Sequence, residues 1–536
     1  MAHSKANRRI MFAAALTLAA MAAAAPAFAA GHRARLSADL ADHLAVGSAS
    51  IDVIVHGTRD EVDALAKKYN VKIKRYLRTG AVLRVTAGQL DAIQQDDTQE
   101  HLSGDIPIYS TADVTMQSIG ADQVWAGAEG LPALSGKGVG VAVIDSGVDT
   151  NHNALKGRVT FTKDFTGGDG SDGYGHGTHV ASIIAGRVGR TNETSDYRGV
   201  ASGARIINLR VLKADGSGMA SDVIEAIDFA TENRKQLGID VINLSLGAPV
   251  TQPYRDDPMC EAVERAVAAG IIVVVAAGNY GFDKEGRYVF GSIATPGNDP
   301  SVITVGAVDT HDTAIRSDDT VAKFSSKGPT RYDLVLKPDL VAPGTHVVAA
   351  EASGSYLSQT YPARHVTGNG PNAYIQLSGT SMAAAVVSGT VALMIERRGK
   401  IVPSDAKTAL QIGCSFMSSA GLIGAGAGSL NALASMGLLD FKRQSSNNIA
   451  GEEIRPSGLN FGLDRSPSSL AVRLRLMRLG SNRVVHSRLW TSNVRGTSGT
   501  IVWGGSGTIV WGGSDTIVWG GSDTIVWGGT FGELDQ

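Results

Sequence analysis

Ser381 follows a Gly-Thr pair and opens a small and apolar run that reaches Ile395. The run closes in Glu396-Arg-Arg-Gly399, cations followed by a glycine stop, which predicts a buried helix with Ser381 at its N-terminus. A hydroxyl there lies beside a positive helix end and free backbone N–H groups, an environment that favours developing negative charge. The same position also suits a plain helix cap. Two upstream stretches bear on the choice. Val141-Ala-Val-Ile-Asp-Ser-Gly147 puts Asp145 at the end of a β-branched run, as a catalytic acid or as a turn cap. Gly175-His-Gly-Thr-His-Val-Ala181 puts His176 after a flexible glycine and ahead of a small, apolar helical stretch.

Asp145, His176 and Ser381 together can activate a hydroxyl. The imidazole takes the serine proton, and the carboxylate fixes the imidazole tautomer and stabilises its charged form. Val273-Val-Val-Ala-Ala-Gly-Asn279 adds an amide just past another apolar run, where Asn279 and the Ser381 backbone N–H can donate to an oxyanion. His176 and His179 stand three apart, but no carboxylate or cysteine nearby completes a metal set, so no metal is expected.

Those residues need a scaffold. Val139–Ile144, Arg205–Val211, Val241–Leu244, Ile271–Ala276 and Val302–Val308 are short strand-like runs. Helical patterns lie between them, notably Ser221–Arg234 and Asp257–Ala269. This alternation predicts an α/β fold with a doubly wound, mostly parallel sheet and helices on both faces. Ligands in such folds bind beyond the carboxyl ends of the strands. Ahead of it, Ile51–His56, Arg59–Tyr69, Val71–Leu77, Ala81–Ala87, Gly88–Gln95 and a strand near His101–Ile106 predict a small α+β unit.

The two ends differ in texture. Residues 1–29 carry Lys5, Arg8 and Arg9, an apolar run from Ile10 to Ala25, and then Ala27-Phe-Ala29. That is the pattern of a secretory signal peptide, and no segment is long enough for a membrane span of ~20 residues. Export, to a periplasm or out of the cell, is the expectation. Residues 441–469 suggest a linker, and Leu470–Trp490 interleaves arginines with aliphatics. The last stretch repeats Thr-Ile-Val-Trp-Gly-Gly-Ser-Asp with small changes, its tryptophans falling at 503, 511, 519 and 527. An even period points the tryptophans to one side if register holds, giving either a sticky extension or, the reading adopted, a docking module for a partner, surface or substrate. The parts are therefore 1–29, 30–110 (core 51–106), 111–440, 441–490 and 491–536. Net charge is −2, so nothing in the overall charge favours a nucleic-acid partner. Cys260 and Cys414 cannot make a disulfide framework, though one bridge between them is open.

The segments around Asp145, His176, Asn279 and Ser381, in that order, resemble the four signature regions of the subtilisin-like serine proteases. The resemblance runs from about Ala121 to Leu438 and includes Phe324-Ser-Ser-Lys-Gly-Pro329 and Ala342-Pro-Gly344. It implies a serine endopeptidase acting on protein or peptide substrates without a cofactor. Asp145 would be the orienting acid, His176 the base, Ser381 the nucleophile and Asn279 the oxyanion donor, with His179 structural. Gly216, Ser217 and Gly218, and Ser245, Leu246 and Gly247, would be the two edges holding an extended substrate. Ala276, Ala277 and Gly278 would form one wall of the specificity pocket. Residues 51–106 resemble the family's inhibitory propeptide, which implies a self-processing precursor cleaved around Tyr109–Ser118. The chain also departs from the family. Ala385 and Val386 replace the usual proline and histidine after the serine, and Ala154 stands where many relatives have a calcium-ligating aspartate. The loop Arg187–Gly199 lacks the usual asparagine-rich pattern, so structural calcium is not supported at the usual place. An α/β-hydrolase esterase would need its acid and histidine after the serine, and the only histidine there is His486. A binding protein on an inactive protease scaffold would not keep all four catalytic positions filled.

Overall fold

All six residues of the strand Gly140–Asp145 are buried, and the alternation of its side chains shows why. Val141 and Val143 enter one apolar layer, while Ala142 and Ile144 enter another. A strand covered on both faces must be apolar throughout, and β-branched residues suit that pleated surface. The computed structural model describes residues 33–37, 40–41, 44, 50–104, 111–187, 197–439, 446–463, 483–486 and 492–496. The signal-like segment and the tryptophan repeats lie outside the described residues.

The chain divides into two compact units, one ending at Ile108 and the other beginning at Tyr109. In the first, the sheet order is Arg35–Leu36, His101–Gly104, Ile51–His56, Gly80–Val85 and Lys72–Leu77. Its helices Arg59–Lys68 and Ala87–Gln94 each start in a capping box, Thr58 with Glu61 and Thr86 with Gln89. The elements lie where the pattern predicts them, with one addition. Residues 31–50 look like a loose polar lead-in, yet Arg35–Leu36 joins the sheet and Leu40 is fully buried. Two residues are too few to show periodicity.

In the second unit the central sheet runs Thr320–Val321, Ile303–Asp309, Ile272–Ala276, Val241–Leu244, Gly140–Asp145, Arg205–Arg210 and Val159–Asp164, with Leu340–Pro343 also on Ile303–Asp309. Among the described residues only the short Thr320–Val321 pairs antiparallel in this sheet. The helices His176–Ala185 and Thr380–Arg398 share one apolar layer with Val141, Ile206 and Val274. The helices Ala220–Glu232 and Pro258–Ala268 share the opposite layer with Ile144, Leu209 and Val275. Each fully buried Val or Ile contributes roughly 1.5–3 kcal/mol. From Gly140–Asp145 the chain builds first toward Arg205–Arg210 and then toward Val241–Leu244, so strand order reverses beside Asp145 and Ser245. Crevices open at such a reversal.

Three segments differ from expectation. The stretch Tyr109–Ser118 is polar in sequence, but Thr111–Ser118 is a helix whose Val114 and Met116 are buried. The expected linker after residue 440 contains the hairpin Asn447–Ile449 and Glu452–Ile454, and Leu459 and Phe461 enter the main core. Its few apolar anchors, widely spaced among polar residues, hide that packing in a composition average. The expected tail boundary at 491 also divides a small sheet, because Ser492–Gly496 beyond it pairs with Asn460–Leu463 and Arg483–His486 before it. Cys260 and Cys414 are both free and buried.

Candidate active site

The strand Gly140–Asp145 ends at the sheet's carboxyl edge and delivers Asp145, only 1% exposed. Asp145 Oδ1 accepts from the His176 ring at Nδ1, 2.7 Å away, and from the Ser146 backbone N–H at 2.8 Å. That bond leaves Nε2 as the free end of the imidazole. Gly175, with φ +103°, turns the chain into the helix that begins at His176. Gly177 is needed too, since a Cβ there would meet the Gly147 carbonyl at 2.2 Å and Asp145 Oδ1 at 3.2 Å. Burial pushes the His176 imidazole down, but the charge and bond of Asp145, aided by Asp172, outweigh it and hold the group above its ordinary value.

His179, one turn on, is fully buried and donates from Nε2 toward the carbonyls of Val347 and Ile375 at 3.1 and 3.2 Å. Burial, then the neighbouring His176, push it down to about 3, so it is neutral. Its place is in the core.

Ser381 is the second residue of the helix Thr380–Arg398 and 9% exposed. The helix has no side-chain cap, so Ser381 does not serve as one. Its hydroxyl donates to the Ser245 carbonyl at 3.0 Å, and the Ser245 hydroxyl donates to the Ser381 carbonyl at 2.9 Å. Behind Ser245, Asn243 Nδ2 donates to Ser245 Oγ at 2.9 Å, and Ser388 Oγ donates to Asn243 Oδ1 at 2.8 Å. A buried polar chain thus anchors the serine-bearing turn to the strand Val241–Leu244, with each link satisfied. Ala385 and Val386 are fully buried within the unbroken helix.

Asn279 follows the strand Ile272–Ala276 and is exposed. Its Oδ1 accepts from the Thr380 N–H at 3.0 Å and the Thr380 hydroxyl at 3.1 Å. An amide whose oxygen is held this way has its NH₂ as the remaining donor end. Gly278, φ +101°, donates to Thr380 Oγ1 at 3.1 Å, tying the Asn279 turn to the serine turn twice over.

The other predicted residues flank this centre. Gly216, Ser217 and Gly218 lie in a turn closed by Lys213 N–H to the Ser217 carbonyl at 2.7 Å; Ser217 and Gly218 are exposed. Gly216 has φ +81°, and a Cβ on it would come within 2.6 Å of the Tyr174 ring. Leu246 is half-buried and Gly247 exposed just after Ser245. Ala276 and Ala277 are buried, Ala277 with no exposed surface. Sequence reasoning missed Asn243, Ser388, Asp172 and Tyr174. Asp172 stands four residues before His176, a spacing that signals only that it shares a loop with the histidine.

Residues 136–414, just over half of the chain, match the subtilase family. The chain belongs to that family. This subtilase is 38% identical over 287 residues to serine protease AprX of Bacillus subtilis (strain 168), the match covering 52% of this chain and 62% of that one. It is 35% identical over 295 residues to subtilisin DY of Bacillus licheniformis, covering 54% and 89%. It is 33% identical over 264 residues to subtilisin-like protease 4 of Trichophyton equinum, covering 49% and 54%. The chain therefore spans under two thirds of AprX and about half of the Trichophyton protein.

Proposed function

We propose that this subtilase is an exported serine endopeptidase that cleaves peptide bonds through an acyl-enzyme on Ser381, using protein groups alone. The observation that carries the reading is the 2.7 Å Asp145–His176 pair, together with the bonds that tie Ser381 to Ser245, just past the strand beside that of Asp145, and Asn279 to Thr380. For attack, the Ser381 hydroxyl exchanges its bond to the Ser245 carbonyl for one to His176 Nε2. His176 takes the proton as Oγ bonds to the scissile carbonyl carbon, and the carbonyl π pair moves to oxygen. Asn279 Nδ2 and the Ser381 N–H receive that oxyanion. His176 then gives its proton to the leaving amine as the C–N bond breaks. Water repeats the sequence and releases the acid.

Residues 30–110 act in this reading as the inhibitory propeptide, and self-cleavage falls before Thr111, because the helix Thr111–Ser118 belongs to the second unit and places Met116 in its main core. Gly216–Gly218 and Ser245–Gly247 hold the substrate as an added strand, with Ala276–Gly278 beside the specificity pocket. The test is a serine-directed fluorophosphonate probe. It should label the processed protein at Ser381 and leave Ser381→Ala unlabelled, inactive and at precursor length when made without other proteases. Labelling elsewhere, or normal maturation of that variant, would sink the reading.

A further inference from the structure

Asp172 lies in the loop before the His176 helix and is 7% exposed. Its carboxylate collects four hydrogen bonds. Oδ1 accepts from Ser146 Oγ at 2.8 Å and from the Gly175 N–H at 2.6 Å. Oδ2 accepts from the Thr178 N–H at 2.8 Å and the Thr178 hydroxyl at 2.6 Å. The partners matter more than their number. Gly175 precedes His176, Thr178 is in its first helical turn, and Ser146 follows Asp145. Ser146 Oγ in turn accepts from the Gly177 N–H at 2.9 Å. One carboxylate thus joins both chain segments that present the Asp145–His176 pair, and it does so at a helix N-terminus, where negative charge is favoured.

We propose that Asp172 is a positioning residue for catalysis: it locks the His176 turn against the Asp145 turn and places a second carboxylate in the field of the imidazole. The proposal rests on the protease reading above. The groups facing His176 are Asp145 at its Nδ1, Asp172 beneath its turn, neutral His179 one turn on, and Tyr174, whose ring centre is 6.4 Å away. Burial pushes His176 down; the charge and bond of Asp145, and after them the charge of Asp172, hold it above its ordinary value. Burial holds the Asp172 carboxyl above its ordinary value, prevailing over the four donors that favour the ionised form.

The experiment compares wild type, Asp172→Asn and Ser146→Ala over pH with a chromogenic peptide, alongside the fluorophosphonate probe. Asp172→Asn keeps the shape but removes the charge and turns an NH₂ toward hydrogen-bond donors. Its kcat should fall by roughly 10–10²-fold, the scale of a small misplacement of catalytic groups, with KM nearly unchanged. Its acid limb in kcat/KM should move to lower pH, because the imidazolium loses a stabilising charge; a merely structural residue would not move that limb. Ser146→Ala keeps both carboxylates and cuts the link to Gly177, so kcat should fall several-fold with the acid limb in place. Should Asp172→Asn fail to fold, Ser146→Ala decides: turnover at the wild-type level overturns the proposal. An unchanged acid limb and turnover in a folded Asp172→Asn overturn it as well. If wild type does not label at Ser381, the protease reading falls and this role falls with it; if it labels and the variants match wild type, only the role of Asp172 is lost.

Discussion

Ser381 and Ser245 hold each other reciprocally: the Ser381 hydroxyl donates to the Ser245 carbonyl at 3.0 Å, and the Ser245 hydroxyl donates to the Ser381 carbonyl at 2.9 Å. The pair locks a helix N-terminus onto the end of a core strand 136 residues away in sequence. It also gives the Ser381 hydroxyl a neutral acceptor. Ser245→Ala breaks one half of the lock and removes the acceptor of Asn243 Nδ2. A buried donor left unpaired costs about 1–3 kcal/mol, so denaturant unfolding should show a loss of that size. Turnover should fall as the serine turn loosens. Unchanged stability would mean that another group satisfies Asn243.

The base of the proposed relay must be neutral to accept a proton. His176 is held above the ordinary histidine value of 6.5, with burial opposing and Asp145 prevailing. Activity should therefore rise with pH through a midpoint above 6.5 in kcat/KM. For stability the sign is opposite. A raised histidine favours the folded state at low pH, and its contribution is lost as pH rises through the folded value. A kcat/KM profile with its acid limb below 6.5 would contradict the burial and charge balance described.

Asn279→Ala should lower kcat on the order of 10²–10³-fold with little change in KM, the magnitude known for loss of the side-chain oxyanion donor in subtilisin, a member of the same family. Here the substitution also frees the Thr380 N–H and hydroxyl. A small loss of stability should accompany the kinetic effect. Steady-state kinetics and thermal melting of the same preparation separate the two.

A buried charge cluster away from the cleft sets a stability prediction. Asp339 accepts from Lys337 Nζ at 2.7 Å and pairs with Lys407 Nζ at 2.8 Å, and Lys337 is fully buried. Asp339→Asn leaves two ammonium groups without their counter-ion. Removing one partner of a buried pair costs about 3–5 kcal/mol. Melting should drop accordingly while the probe still labels whatever protein remains folded; a neutral result would show that carbonyl acceptors suffice.

The tryptophan repeats lie outside the described residues, and their docking role is a proposal. The informative truncation begins after Gly496, since Ser492–Gly496 is paired with Asn460–Leu463. Deleting residues 497–536 should leave hydrolysis of a small peptide nearly unchanged and alter the location of the enzyme or its attack on large substrates. Loss of small-peptide activity in a folded, processed truncation would assign the repeats to the catalytic unit.

The sequence by itself determined the candidate catalytic residue types and the elements that present them. Asp145 ends an apolar β-branched run, His176 begins a helix after a glycine, and Ser381 opens a long small-residue helix. Those are properties of short windows, where periodicity, capping and turn residues act locally. The four motifs in order also carried the family. Tertiary structure decided what no window contains: the Ser381–Ser245 exchange, the Asn243–Ser388 link beneath it, and Asp172 joining two turns. It likewise decided that Leu459 and Phe461 are core residues within a stretch polar enough to suggest a linker. Hydrogen bonds between distant strands and helices, and burial of isolated apolar residues, depend on where the sheet reverses its order. That reversal is a property of the whole folded chain.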